Sequence, residues 1–79
     1  MSVLMNVTYN GLSGSCYAVF DPNLDDNTVR RLTEEAVRSG EVAGLPKNIP
    51  DNAFENFVVD RLQEDRLVRL VVRPRVPFG

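Results

Sequence analysis

The dipeptide Asn10-Gly11 limits the fold most, because it separates two segments with the alternating pattern of β-strands. Residues 3–9 place Val, Met, Val and Tyr at every second position, and residues 15–20 alternate again. Asn and Gly both tolerate positive φ, so this dipeptide between two strand-like segments predicts a β-hairpin. Gly14 leaves room for a loop longer than two residues. Asp21-Pro22 ends the second strand, since proline lacks the backbone donor of a ladder.

A helix is predicted after the hairpin, over residues 28–39. It begins in the cluster Asp25-Asp26-Asn27-Thr28, whose side chains are typical helix N-caps. Gly40 stands where a left-handed C-cap is expected. Acidic residues near the start and Arg38 near the end match the helix dipole. The apolar residues that recur at helical spacing are Val29, Leu32, Ala36 and Val37.

The second half of the chain predicts two more strands after an irregular connection. Residues 41–52 contain two prolines and a glycine, which favour irregular structure. The β-branched and aromatic content of residues 54–62 favours a strand, although the same residues also allow a short helical face. Residues 63–65 form a polar turn. Residues 66–73 alternate, with Val68, Leu70 and Val72 facing the core.

The resulting order, β-β-α-β-β, predicts an α+β fold in which one helix packs on one face of a four-stranded mixed sheet. With 79 residues, we expect a single domain over residues 1–79. The one cysteine allows no internal disulfide, which suits a reducing compartment. Residues 1–6 show no signal-peptide pattern, and no apolar run approaches the roughly 20 residues of a membrane span. We expect a cytoplasmic protein with no membrane contact.

Three segments resemble the β-grasp fold of ubiquitin and its relatives. They are the hairpin at Asn10-Gly11, the helix start at Thr28-Val29, and residues 64–73, an alternating apolar stretch with arginines just before the tail. The resemblance covers nearly the whole chain and implies a domain that binds other proteins. In ubiquitin relatives, including sulfur carriers, a terminal diglycine is activated at its carboxylate. This chain ends in Pro77-Phe78-Gly79, so the resemblance implies a carrier role for Gly79 only as an alternative.

Catalytic and metal chemistry has few candidate residues in this sequence. There is no histidine, which removes the commonest general base and metal ligand. Cys16 alone cannot form a zinc site, and its strand position favours packing as a small apolar side chain. Gly11 and Gly14 lack the following helix and lysine of a phosphate loop. Asp21, Asp25 and Asp26 are better explained by helix capping than by calcium. We therefore expect no enzyme activity, metal or cofactor.

One face of the last strand is the predicted binding site. Its outward positions carry arginines and apolar residues, whereas the alternate positions face the core. Arginine is enriched at protein interfaces, although charges on a solvated face that discourage aggregation would give the same pattern. Arg61 or Arg66 can extend this surface from the neighbouring strand. The predicted protein-binding residues are Leu67, Arg69, Val71, Arg73 and Arg75.

The expected function is a non-catalytic protein-interaction module whose partner is another protein. A second copy of the chain is also open as partner, because a small core leaves apolar surface to cover. A further alternative is nucleic-acid binding by the arginine-rich strand, with Tyr17 or Phe57 stacking on bases. The formal net charge of −2 disfavours nucleic acid, whose binders usually carry a basic excess.

Overall fold

Two hairpins flank a single helix in the computed structural model, which describes residues 2–75. The sheet order is β2-β1-β4-β3, with both hairpins antiparallel and the central pair β1–β4 parallel. This confirms the predicted α+β fold, a four-stranded mixed sheet in a β-grasp-like arrangement. The elements are β1 (Ser2–Tyr9), β2 (Leu12–Val19), α1 (Asp26–Arg38), β3 (Val58–Glu64) and β4 (Leu67–Arg73).

The first hairpin turns over two residues only. Asn10 and Gly11 have φ of 51° and 76°, and Tyr9 pairs directly with Leu12. Such a turn matches the twist of the flanking strands. The longer loop that Gly14 allowed is not formed, and β2 begins at Leu12 instead of the predicted residue 15. Glycine is needed at position 14 for close packing instead of for a turn. A Cβ there would lie 2.3 Å from the carbonyl oxygen of Ala43, which packs against the strand.

Helix α1 begins two residues earlier and ends one residue earlier than the predicted range, 28–39. Asp25 is the extended N-cap residue, and its carboxylate accepts a hydrogen bond from the Thr28 hydroxyl. Gly40, at φ 82°, completes a Schellman-type end in which the N–H of Glu41 bonds to the carbonyl of Ala36. Within residues 2–75 no helix is both long and apolar enough to cross a membrane.

The buried stripe of α1 differs from the predicted one at a single position. Thr33 is fully buried in place of Leu32, and its hydroxyl donates to the carbonyl of Val29 at 2.8 Å. This bond satisfies the one polar group among the buried positions of the helix. Leu32 is only partly buried and faces the space between α1 and β2.

The core lies between α1 and the two central strands. Every second residue of β1 and β4 is buried there, as their alternation predicts. Residues of the connection between α1 and β3 close the core, namely Val42, Ile49 and Phe54. The buried strand residues are Val3, Met5, Val7, Val59, Val68, Leu70 and Val72.

Phe54 lies outside β3, so the predicted strand start at residue 54 is wrong. Residues 51–56 form consecutive turns, with the N–H of Phe57 bonded to the carbonyl of Phe54. The Phe54 ring is buried, with ring centroids 5.6 Å from Tyr9 and 5.0 Å from Phe57. The aromatic ring of Phe54 packs in the core from outside a strand. A local sequence pattern does not distinguish such a residue from an aromatic residue in a strand.

Arg61 lies on the helix side of the sheet, opposite the buried Leu70 in the β3–β4 register. Its guanidinium donates to the carbonyls of Pro22 and Leu24 and to the carboxylate of Asp26, at 2.7 Å for the last. It joins β3 to the start of α1. Arg61 therefore does not extend the arginine surface of β4, contrary to the sequence-based interpretation.

Candidate protein-binding face

The sheet face turned away from α1, here called the open face, is formed by alternate residues of all four strands. Cross-strand register arranges these residues in rows that run across the sheet. One row is Tyr17, Leu4, Arg69 and Leu62, in the order β2, β1, β4 and β3. The next row towards the first hairpin is Ser15, Asn6, Val71 and Asp60.

Strand β4 presents four of the five predicted binding residues on this face. Leu67, Arg69, Val71 and Arg73 are each partly buried, whereas the residues between them are buried on the helix side. Arg75 is exposed but lies beyond the end of the strand at Arg73, so it does not continue the pleated row. Gly79, the position of the carrier alternative, lies outside the described residues.

The two strand arginines are paired with carboxylates of β3. Arg73 Nε donates to Asp60 Oδ2 at 2.7 Å. Arg69 Nε lies 3.0 Å from Glu64 Oε1, but the orientation gives an ion pair without a hydrogen bond, leaving this N–H buried without an acceptor in residues 2–75. Because each arginine is paired with a carboxylate, strands β3 and β4 give the open face no excess of positive charge within residues 2–75, whereas phosphate binding needs such an excess. This argues against the nucleic-acid alternative.

Exposed apolar side chains on the outer strands complete the open face. Tyr17 is 74% exposed, Val19 80% and Leu62 45%, while Leu4 is partly buried between its neighbours. The alternation of β1 and β2 predicts the orientation of Leu4, Tyr17 and Val19, since each alternates along its strand with residues that face the helix side. The orientation of Leu62 depends on the β3–β4 register, which could not be derived from the wrong strand start at residue 54.

The open face is apolar at one end and polar at the other. Near the first hairpin, Asn6 donates to the Ser15 hydroxyl, and the Thr8 and Ser13 hydroxyls lie 3.4 Å apart. These cross-strand contacts satisfy the polar groups among themselves. The apolar end carries Val19, Tyr17, Leu4, Leu67 and Leu62 around Arg69.

Cys16 lies on the opposite side of the sheet and packs against the core, as its alternation predicts. Burial, with a smaller effect of the Glu41 carboxylate, raises the pKa of its thiol. A raised pKa lowers the thiolate fraction at neutral pH, which is unfavourable for a nucleophile.

The three aspartates considered for calcium each have a protein partner. Asp21 accepts from the N–H of Asn23, Asp25 from the Thr28 hydroxyl, and Asp26 from Arg61. The Thr28 hydroxyl is the main reason that the pKa of Asp25 is lowered.

The chain matches no protein-family model, no curated protein and no solved structure. The functional argument therefore depends on the open face itself and on how its residues are arranged.

Proposed function

We propose that this protein is a non-catalytic interaction module that binds another protein through the open face of its sheet. The observation that carries the proposal is the apolar end of this face, where Tyr17, Val19 and Leu62 are exposed around Arg69. Exposed apolar side chains grouped on one surface are typical of sites that another molecule covers.

The composition of the face supports a protein as the partner. Tyrosine and arginine are among the residues that most often dominate binding energy at protein interfaces, and neighbouring contacts exclude water around them. Tyr17 and Arg69 stand in one row, with Leu4 between them and Leu62 beyond. A partner that covers this row desolvates an aromatic ring and an arginine together.

The strand arginines form surface ion pairs, so we expect their variants to stay folded and to report binding separately from stability. Arg69 and Arg73 are 37% and 39% exposed, and their ion pairs lie at the surface. Exposed ion pairs of this kind contribute about 0–1 kcal/mol to stability. Replacing the arginines therefore changes the surface more than the core.

The experiment is affinity capture from the native cells with wild type and the variant Arg69→Glu/Arg73→Glu, quantified by mass spectrometry. The matched control, Arg31→Glu/Lys47→Glu, reverses two exposed cations that lie off the open face. Each reversal changes the charge by −2, so both variants move from −2 to −6. We expect a specific partner to be lost only with the β4 variant. Equal loss with both variants, or retention with both, would count against the open face.

The apolar end needs its own variant, because charge reversal alone does not test it. Tyr17→Ser/Leu62→Ser removes two exposed apolar side chains and is expected to lose the same partner. Sedimentation of the wild type at increasing concentration tests whether that partner is a second copy. If it is, sedimentation of the charge-reversal variant and of the serine variant measures directly whether each loses the oligomer.

A further inference from the structure

The two edges of the sheet differ in charge. Residues 11–20, which include β2, carry no charged side chain, whereas the opposite edge strand, β3, includes Asp60, Arg61 and Glu64. Charged side chains on an edge strand discourage pairing with another chain. Strand β2 lacks this protection along its whole length.

The outer edge of β2 is covered at one end only. Within residues 2–75, its one backbone pairing outside the sheet is the bridge between Ser15 and Ala43. Residues 16–19 continue past this bridge as an edge strand, with Tyr17 and Val19 largely exposed. Unpaired backbone groups on such an edge form a template for an added strand.

A groove runs beside this part of the edge, between β2 and α1. Its cavity volume is about 360 Å³, and its apolar walls include Cys16, Ala18, Phe20, Leu32 and Ala36. The groove exists because α1 packs mainly towards β3, where Arg30 donates to the Phe57 carbonyl and Arg61 reaches Asp26. The space on the β2 side is left without a covering element among the described residues.

The rim of the groove is acidic. Glu35 on α1 and Glu41 just after it line the cavity and are exposed. Neither forms an ion pair with another residue of the described chain, in contrast to Glu34, which binds Arg38 at 2.7 Å. Two unpaired carboxylates beside an apolar groove favour a ligand that carries positive charge next to apolar side chains.

We propose that the groove between β2 and α1 binds an extended peptide that adds to β2 as a fifth strand. The peptide has apolar side chains at alternate positions, which enter the groove, and a Lys or Arg that meets Glu35 or Glu41. Backbone pairing supplies affinity and alternate side-chain pockets supply specificity in this mode of recognition. The groove lies on the helix side of the sheet, whereas the apolar end lies on the open face, and the β2 edge at Tyr17 and Val19 borders both.

A second copy of the chain fits this groove less well than a basic peptide. Its own β2 brings no positive charge, and its Cys16, Ala18 and Phe20 already pack against their own core. Pairing of two β2 strands would leave both grooves unfilled. It would also bring two pairs of unpaired glutamates towards each other, which is unfavourable.

Selection from a phage library of random nine-residue peptides tests the proposal. We expect enriched sequences with apolar residues at alternate positions beside Lys or Arg. A synthetic copy of the enriched peptide should slow alkylation of Cys16, the one thiol of the chain. N-methylation at every second residue should abolish binding in one register and spare it in the other.

Matched single variants locate the site. Glu41→Lys should weaken the synthetic peptide about tenfold, as expected for reversal of a charge at an interface rim. Glu55→Lys, an exposed acid with no ion pair among residues 2–75, changes the net charge equally and should leave the affinity unchanged. The proposal is overturned if no sequence is enriched. It is also overturned if the enriched peptide is insensitive to Glu41→Lys and lost with Arg69→Glu/Arg73→Glu.

Discussion

Truncation of Phe54 should destabilise the domain far more than its place in a connecting segment suggests. The side chain is 2% exposed and makes edge-to-face contacts with Tyr9 and Phe57. Phe→Ala in a core costs about 3–5 kcal/mol. At 0.05–0.15 kcal/mol per residue, a domain of this size has a total stability of roughly 4–12 kcal/mol. Phe54→Ala therefore removes a large part of it.

Phe54→Leu is the quantitative variant, because it keeps most of the apolar volume and the fold. It loses two aromatic contacts worth about 0.5–1.5 kcal/mol each, so we expect a loss of about 1–3 kcal/mol. Urea unfolding followed by circular dichroism measures both variants. Tyr17→Ala, at a position 74% exposed, is the control and should cost below about 1 kcal/mol. A loss below about 1 kcal/mol for Phe54→Ala would refute the placement of this ring in the core.

Three further changes test the fold. Gly14→Ala should cost about 1–3 kcal/mol in urea unfolding, because its Cβ meets the Ala43 carbonyl; an unchanged midpoint would contradict this packing. Arg61→Met should cost about 1–2 kcal/mol, reduced for its partial exposure, and leave partner capture intact, whereas lost capture would place it in the interface. Asp25→Asn should lower the free energy of unfolding near neutral pH only. Because the pKa of Asp25 is lowered in the folded state, its ionised form stabilises the fold above the ordinary Asp range, and this stabilisation is lost as the pH falls through the folded pKa. A stability difference from wild type that persists at pH 2 would contradict this.

Local patterns in the sequence predicted most of the fold. Alternation placed Val68, Leu70 and Val72 in the core, and positive φ at Asn10-Gly11 closed the first hairpin as expected. Capping residues marked the helix to within two residues at its start and one at its end. These features depend on neighbours in the chain, so a single sequence carries them.

Features that depend on distant contacts could not be predicted in this way. The burial of Phe54 requires Tyr9, which is 45 positions away in the sequence. The Arg61 side chain points towards α1 because it donates to the carbonyl of Pro22 and to the carboxylate of Asp26, which are distant in the sequence. The ion pair of Arg73 with Asp60 depends on the β3–β4 register, which was mistaken at the start of β3.

Site-specific photocrosslinking in the native cells tests the proposed open-face interaction most directly. Benzoylphenylalanine is placed at Tyr17 and at Leu62, on the two outer strands of the open face, and at Arg31 on the exposed side of α1 as the control. The account predicts that positions 17 and 62 crosslink to the same protein and that position 31 does not. Crosslinking of a specific protein from position 31, with none from position 17 or 62, would contradict the proposed function.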